Sequence, residues 1–157
     1  MASQMQIRTY KPEDKDQVIK VIKAGYETVG LAINLFGKDA DLNDIQGHYA
    51  PPDSAFFVME MDGDTIVGTS AIKKTGDGVC ELGRQYVRPP FHHRGIGTSM
   101  LDEAVRFAKK QGYKSVELYI APEMTQAREL YEHYGFKFQG ERQTPTWGKE
   151  FGFTLQL

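Results

Sequence analysis

The run His92-His93-Arg94-Gly95-Ile96-Gly97-Thr98 is the stretch of this sequence best suited to chemistry. Glycines let the backbone approach a ligand closely, successive amide N–H groups at the mouth of a helix point at an anion, and the helix dipole favours negative charge there. Arg94 would add charge-assisted hydrogen bonds, so the ligand implied is a pyrophosphate. Two glycines ahead of a helix also describe an ordinary structural turn, and His92 and His93 can equally be solvated turn residues. A P-loop is excluded because no Gly-Lys-Ser or Gly-Lys-Thr stands here, and a dinucleotide fold would need a third glycine, a preceding βαβ unit and a ribose-binding acid.

Metal and thiol chemistry find less support. Cys80 is the only cysteine, which rules out an intramolecular disulfide and leaves no Cys cluster for zinc or iron–sulfur ligation. No Cys-His pairing is readable, so Cys80 is expected to be a buried structural thiol and no metal is expected.

The elements that must position the glycine turn follow from periodicity. Met5, Ile7 and Thr9 alternate with polar residues as a short strand, and Lys11-Pro12-Glu13-Asp14 starts a helix whose buried stripe is Val18, Val21, Ile22 and Gly25. From Thr28 to Pro52 the pattern dissolves into irregular helix and loop. Ala55 to Met61 and Thr65 to Lys73 are rich in β-formers and flank Asp62-Gly63, a hairpin signal. A second turn, Thr75-Gly76-Asp77-Gly78, leads into a strand from about Val79 to Arg88, completing a three-stranded meander. After the glycine turn, Leu101, Ala104, Val105 and Ala108 recur at helical spacing, and Gly112 closes that helix. Lys114 to Ile120 reads as a strand. Thr125 is the expected cap of a second late helix with apolar face Ala127, Leu130, Tyr131 and Tyr134 and with Gly135 as its stop; Phe136 to Gln139 and Phe151 to Leu157 are closing strands.

These elements predict one α+β domain over residues 1–157, a mostly antiparallel mixed sheet flanked by helices. With 157 residues, 40% of them hydrophobic, the chain can bury a core without disulfides or metals. A net charge of -2 gives no global field to attract nucleic acid or an anionic membrane. No basic start precedes an apolar run, and nowhere do about eighteen apolar residues follow one another, so no membrane association and a cytoplasmic location are expected.

The segment Gln85-Tyr86-Val87-Arg88-Pro89-Pro90-Phe91-His92-His93-Arg94-Gly95-Ile96-Gly97 resembles the acetyl-CoA signature of the Gcn5-related N-acetyltransferases, in which a strand ending in valine and proline precedes an Arg/Gln-x-x-Gly-x-Gly/Ala turn. The downstream Ala127-x-x-Leu130-Tyr131-x-x-Tyr134-Gly135-Phe136 is similar to that family's second recurrent motif. His92 departs from the family's usual Arg or Gln, and Met124 from an Asn often found before the second motif.

The resemblance implies acetyl-CoA as cosubstrate, bound by His92, His93, Arg94, Gly95, Ile96, Gly97, Thr98 and Ala127, with the pantetheine arm in a splay of the sheet beside Tyr86 and Val87. It makes Tyr131 a candidate general acid for the departing thiolate, against its reading as a core aromatic. Glu81 becomes a candidate general base, against a solvated or structural glutamate; a bulge would break the alternation that places Glu81, Gly83, Gln85 and Val87 on one face. Acceptor specificity would lie around Tyr26 to Tyr49 and Glu141 to Glu150. Tyr26 is a candidate acceptor contact, and Trp147 a candidate acceptor wall, dimer contact or core residue. The acidic residues Asp39, Asp41, Asp44, Asp53, Glu60, Asp62 and Asp64 are a candidate attractor for a cationic amine, against ordinary loop charge.

The activity so implied is acetyl transfer from the CoA thioester to a primary amine, on a small molecule or peptide, by direct attack in a ternary complex. The competing readings are a non-catalytic acyl-CoA sensor or interaction module, and an acyltransferase using a longer acyl chain or a hydroxyl acceptor. A homodimer is compatible with either.

Overall fold

The computed structural model describes residues 3–145 and 148–157. Trp147 therefore lies outside the described residues. The element order is β1 (Met5–Thr9), a 3₁₀ turn (Pro12–Asp14), α1 (Lys15–Glu27), a second 3₁₀ turn (Ala40–Asn43), α2 (Ile45–His48), β2 (Ala55–Met61), β3 (Thr65–Gly76), β4 (Val79–Val87), a third 3₁₀ turn (Pro89–Phe91), α3 (Ile96–Lys110), β5 (Ser115–Ile120), α4 (Thr125–Tyr134), β6 (Lys137–Thr144) and β7 (Gly148–Gln156).

One seven-stranded sheet runs in the order β1-β2-β3-β4-β5-β7-β6. All of its pairings are antiparallel except β4 with β5. The meander β2-β3-β4 forms as expected, and Asp62 (φ 53) and Gly63 (φ 78) supply the two positive φ angles that a tight hairpin with native twist demands. The closing strands β6 and β7 are longer than the apolar pattern suggested, because polar residues on one face of a sheet give no hydrophobic signal.

Each face of the sheet is covered differently. Val18, Val21, Ile22 and Tyr26 of α1 pack with Leu42, Ile45, Phe56, Val58, Ile66 and Ala71 on one side. On the other side, Leu101, Ala104, Val105 and Ala108 of α3 and Tyr131 of α4 pack on Ile72, Cys80, Leu82, Val116, Leu118 and Phe153. Cys80 is buried, and burial pushes its thiol up to about 12, so it is inert at neutral pH. Met124, not Thr125, occupies the cap position of α4, and no side chain caps that end. Gly135 (φ 121) ends the helix, its N–H donating to the Tyr131 and Glu132 carbonyls.

Gly25 in α1 is required by close packing: a Cβ there would lie 2.4 Å from Cδ1 of Tyr86. Alanine normally stabilises a helix over glycine by about 1 kcal/mol. Here the sign reverses, because the Tyr86 ring must shift. Urea unfolding should show a lower midpoint for Gly25→Ala, with the loss recovered when Tyr86→Leu is added; an unchanged or raised midpoint in the single variant would refute the packing account.

Candidate active site

The geometry of the site begins with an irregularity in β4. Opposite β3, Tyr86 pairs with Thr69 and Gly83 with Ala71, so Arg84 and Gln85 together face the single residue Ser70. Arg84 has φ 53, a left-handed value that costs a non-glycine residue about 1 kcal/mol. Beyond this bulge the faces exchange. Glu81 and Gly83 lie on the α1 side, whereas Gln85 turns to α3, its Nε2 donating to the Gly97 carbonyl at 2.8 Å. The single-face alternation of Glu81, Gly83, Gln85 and Val87 is thus broken, as a bulge requires.

β4 also leaves its parallel neighbour. Pairing with β5 covers only Val79 with Ser115, Cys80 with Val116 and Glu81 with Glu117. From Leu82 to Val87 the β5-facing edge of β4 is unpaired, which opens a splay beside Tyr86 and Val87.

An ion network holds the bulge on the α1 side. Arg84 Nη1 donates to Asp39 Oδ1 and to the Tyr26 hydroxyl, both at 2.9 Å, while Nε donates to Asp41 Oδ2 at 3.0 Å and Nη2 to Asp41 Oδ1. Tyr26 donates to Asp39 at 2.7 Å, Lys38 to Asp39 at 2.6 Å and Tyr49 to Asp41 at 2.5 Å. Burial works to raise both aspartates, yet the bonds from Lys38 and the Asn34 amide to Asp39, and from Arg84 to Asp41, hold them below the ordinary range. Tyr26, 2% exposed, braces the bulge with its hydroxyl fully engaged and edges onto Tyr86, ring centroids 5.5 Å apart.

The acidic stretch is therefore largely engaged within the protein. Asp39 and Asp41 pair with Arg84, Asp44 accepts from the Gly47 amide, Glu60 pairs with Arg8 and Asp62 accepts from the Gln4 amide. It does not form the free negative surface that the sequence suggested.

The glycine turn opens α3. Gly95 (φ 79) is the cap residue, and no side chain among the described residues caps the helix, leaving its first amides available to an anion. A Cβ on Gly95 would meet nothing within 4 Å, so the space before the turn is open. Gly97 instead faces α4, where its Cβ would touch Leu130 Cδ2 at 3.5 Å. Ile96 is buried in the core and can contribute to a ligand only through its backbone, while Thr98 and Arg94 are exposed; the Arg94 guanidinium stacks on Phe91 at 5.3 Å. His93 (φ 63) is exposed. His92 Nε2 lies 2.7 Å from the Val87 carbonyl, which can only accept, so the imidazole donates there and ties the turn to the end of β4.

The two candidate catalytic side chains approach from opposite sides. Tyr131, 4% exposed, is held from the α4 side with its ring edge-on to Phe136 at 5.7 Å, and its hydroxyl makes no hydrogen bond among the described residues. Burial raises its phenol, and the neighbouring Tyr86 adds to the effect. Tyr86, itself raised to about 12 by burial, lies on the α1 side. Ala127 packs half-buried near Tyr131. Glu81 sits on the α1 side at the last residue pair before the splay, and burial raises its carboxyl; Arg142 opposes the rise, while Glu117 and Glu150 reinforce it.

Arg84 and Tyr119 were missed by sequence reasoning, and Arg142 and Glu150 fell within the Glu141 to Glu150 segment without being singled out. The Gly83-Arg84 step inside a strand was the available signal for the bulge. Arg142 and Glu150 become partners only through the register of β6 with β7.

Residues 28–136 match the model of the acetyltransferase (GNAT) family, and the chain belongs to that family. It is an acyltransferase of the N-acetyltransferase type. It is 28% identical over 127 residues to an uncharacterized N-acetyltransferase of Schizosaccharomyces pombe, covering 80% of this chain and 78% of that protein. It is 32% identical over 101 residues to N-acetylaspartate synthetase of Homo sapiens, covering 64% of this chain but only 33% of that enzyme. A GNAT acetyltransferase of Staphylococcus aureus Mu50 shares the fold with a TM-score of 0.87 at 18% identity, over 98% and 99% of the two chains. So does the PaiA N-acetyltransferase of Thermoplasma acidophilum, solved with coenzyme A, with a TM-score of 0.80 at 24% identity, over 98% and 99%.

Removing Arg84 leaves carboxylates of a buried network unpaired, so Arg84→Ala should lose about 3 kcal/mol. Arg84→Gly loses the same bonds but relieves the positive φ, and should be about 1 kcal/mol less destabilised than the alanine variant. Because Asp39 and Asp41 are depressed in the fold, the network's contribution is fully present above their unfolded value of about 3.9 and disappears as pH falls through the folded values. Urea unfolding between pH 7 and pH 3 should show this loss in the wild type and a shallower pH slope in Arg84→Ala; identical slopes would remove the network from its role.

Proposed function

We propose that the chain is a single N-acetyltransferase domain that moves an acetyl group from acetyl-CoA to a primary amine by direct attack in a ternary complex. The observation that carries this reading is the junction of the β4–β5 splay with an uncapped helix end at Gly95. The uncapped amides at Gly95 to Thr98 suit the pyrophosphate, with Arg94 and His93 at its edge, and the open β4 edge from Leu82 to Val87 suits the amides of the pantetheine arm. This fit is of polar groups without partners to a ligand rich in the complementary ones.

Glu81 takes a proton from the acceptor ammonium, directly or through water, and the freed lone pair attacks the thioester carbonyl. A backbone N–H near Val87 steadies the oxyanion. The carbon–sulfur bond then breaks, the thiolate takes the phenolic proton of Tyr131, and the second proton of the nitrogen passes through water to the Tyr131 phenolate; Glu81 returns its proton to solvent, leaving an amide and CoA. Burial makes Glu81 a better base than an exposed glutamate. The relative named N-acetylaspartate synthetase is consistent with a small amine acceptor.

Thermal unfolding with acetyl-CoA, ATP and NAD in parallel tests the donor site. Acetyl-CoA alone should stabilise the protein, by about 2.7 kcal/mol at a hundred times its dissociation constant. Gly95→Glu should abolish that shift by placing a negative charge in the cradle, whereas Gly95→Ala, which only strains the turn, should retain most of it. Tyr131→Phe should keep the shift and lower amine-dependent CoA release about 100-fold. A shift without CoA release from any amine would favour the sensor reading instead.

Glu81 also sets a pH dependence. Its raised pKa predicts that kcat/KM climbs with pH through a value above the usual 4.3 or so for glutamate, and that Glu81→Gln removes this limb. A limb that survives in the variant would belong to another group.

A further inference from the structure

Beyond the splay, on the α1 side, the sheet carries polar residues in place of a hydrophobic cluster. Glu81 and Glu117 are neighbours across β4 and β5, Glu117 pairs with Thr154 of β7, and Tyr119 pairs with Gly152, which in turn faces Gly140 of β6. The two glycines leave room for the Tyr119 ring: a Cβ on Gly152 would lie 3.1 Å from Tyr119 Cε1 and 3.7 Å from the Gly140 carbonyl oxygen. Arg142 lies across that ring, its guanidinium carbon 3.3 Å from the centroid.

Three features fix this guanidinium. Tyr119 sets its plane, Nε donates at 2.9 Å to Glu150 Oε1, and Glu150 is itself 5% exposed. The terminal Nη1 and Nη2 groups make no hydrogen bond among the described residues, and the side chain remains half exposed. Arg142 also acts electrostatically on Glu81, so the free end of the fork belongs to the surroundings of the candidate base. A planar fork with two unengaged donor groups matches a carboxylate, and one held by stacking and a buried ion pair loses little freedom on binding it.

We propose that Arg142 binds a carboxylate of the acceptor, and that the acceptor is a free amino acid. This rests on the acetyltransferase reading given above. The ammonium group lies toward Glu81 and Glu117, where Glu81 takes its proton, and the carboxylate lies on the Arg142 fork. Lys73, which pairs with Glu81 across β3 and β4, offsets part of the carboxylate charge without a fixed geometry of its own. The site is thus complementary to a zwitterion and not to a polycation.

The test pairs free L-amino acids with their decarboxylated amines. In the wild type, kcat/KM for the preferred acid should exceed that of its amine by about 100-fold, the loss expected when a charge-assisted pair of hydrogen bonds is removed. Arg142→Lys keeps a positive charge beside buried Glu150 but lacks the fork, so the acid-to-amine ratio should fall toward one. Calorimetric titration of the same acids into the CoA-bound protein should show binding that weakens in the variant. Equal rates for acid and amine, or a ratio unchanged in Arg142→Lys, would overturn the proposal while leaving amine acetylation intact. Acid binding that depends on Arg142 without turnover of any acceptor would support the site and sink the acetyltransferase reading. Neither binding nor discrimination would sink the amino-acid site outright.

Discussion

The bulge at Arg84, and the ion network that holds it, is the constraint on which the rest of the site depends. A regular β4 would pair with β3 on one edge and continue beside β5 on the other, and the sheet would be closed at its centre. Two residues set against Ser70 bend the strand instead, and pairing with β5 ends at Glu81. The guanidinium that pins this distortion is bound by Asp39 and Asp41, which lie in the irregular segment between α1 and β2. One side chain thus sets the shape of the central strand and docks the least regular part of the chain. A change in that segment is transmitted to the bulge through two carboxylates.

Opening the sheet has a second effect. A closed sheet separates its faces, and Tyr131 on the α4 side would share nothing with Tyr86 on the α1 side. Here β4 and β5 part beyond Glu81, which stands at the last paired residue before the opening. In the proposed mechanism an acid from one face and a base from the other address a single ligand lying in the gap. Burial raises both groups. That makes Glu81 a stronger base and keeps Tyr131 a neutral phenol at neutral pH. The same desolvation favours proton acceptance by Glu81 and opposes proton release from Tyr131.

Much of the fold was legible because apolar periodicity and turn chemistry are local. The hairpin at Asp62-Gly63, the α3 stripe from Leu101 to Ala108 and the stop at Gly135 are each determined by a few neighbouring residues. The glycine turn was legible for the same reason. Arg84 was not: a bulge depends on the register of β3 with β4, and the partners of its side chain lie 43 and 45 residues away in sequence. Tyr26 was read as an acceptor contact from its place at the start of the Tyr26 to Tyr49 segment, yet its hydroxyl belongs to this network. The acidic residues around it looked like an attractor because their counter-ions, Arg84 and Arg8, come from strands that no local pattern connects to them. Arg142 and Tyr119 meet across β7, over a glycine floor visible only once three strands are aligned.

Departures from good folding chemistry gather around the same opening. Ser70 Oγ and Gln85 Oε1, on either side of the bulge, are buried without hydrogen-bond partners among the described residues. Arg84 holds a positive φ, the β4 edge from Leu82 to Val87 lacks a neighbour, and the first amides of α3 lack a cap. Each raises the free energy of the fold, and away from a ligand each would be removed by a simple substitution or one more strand pair. Scattered defects would suggest a merely tolerant fold. Here they gather on one strand and one helix end: the bulge and the open edge belong to β4, and the uncapped amides open α3. The open β4 edge and the uncapped α3 amides are the groups that the proposed acetyl-CoA would complete, whereas Ser70 is fully buried and the Arg84 donors are already engaged.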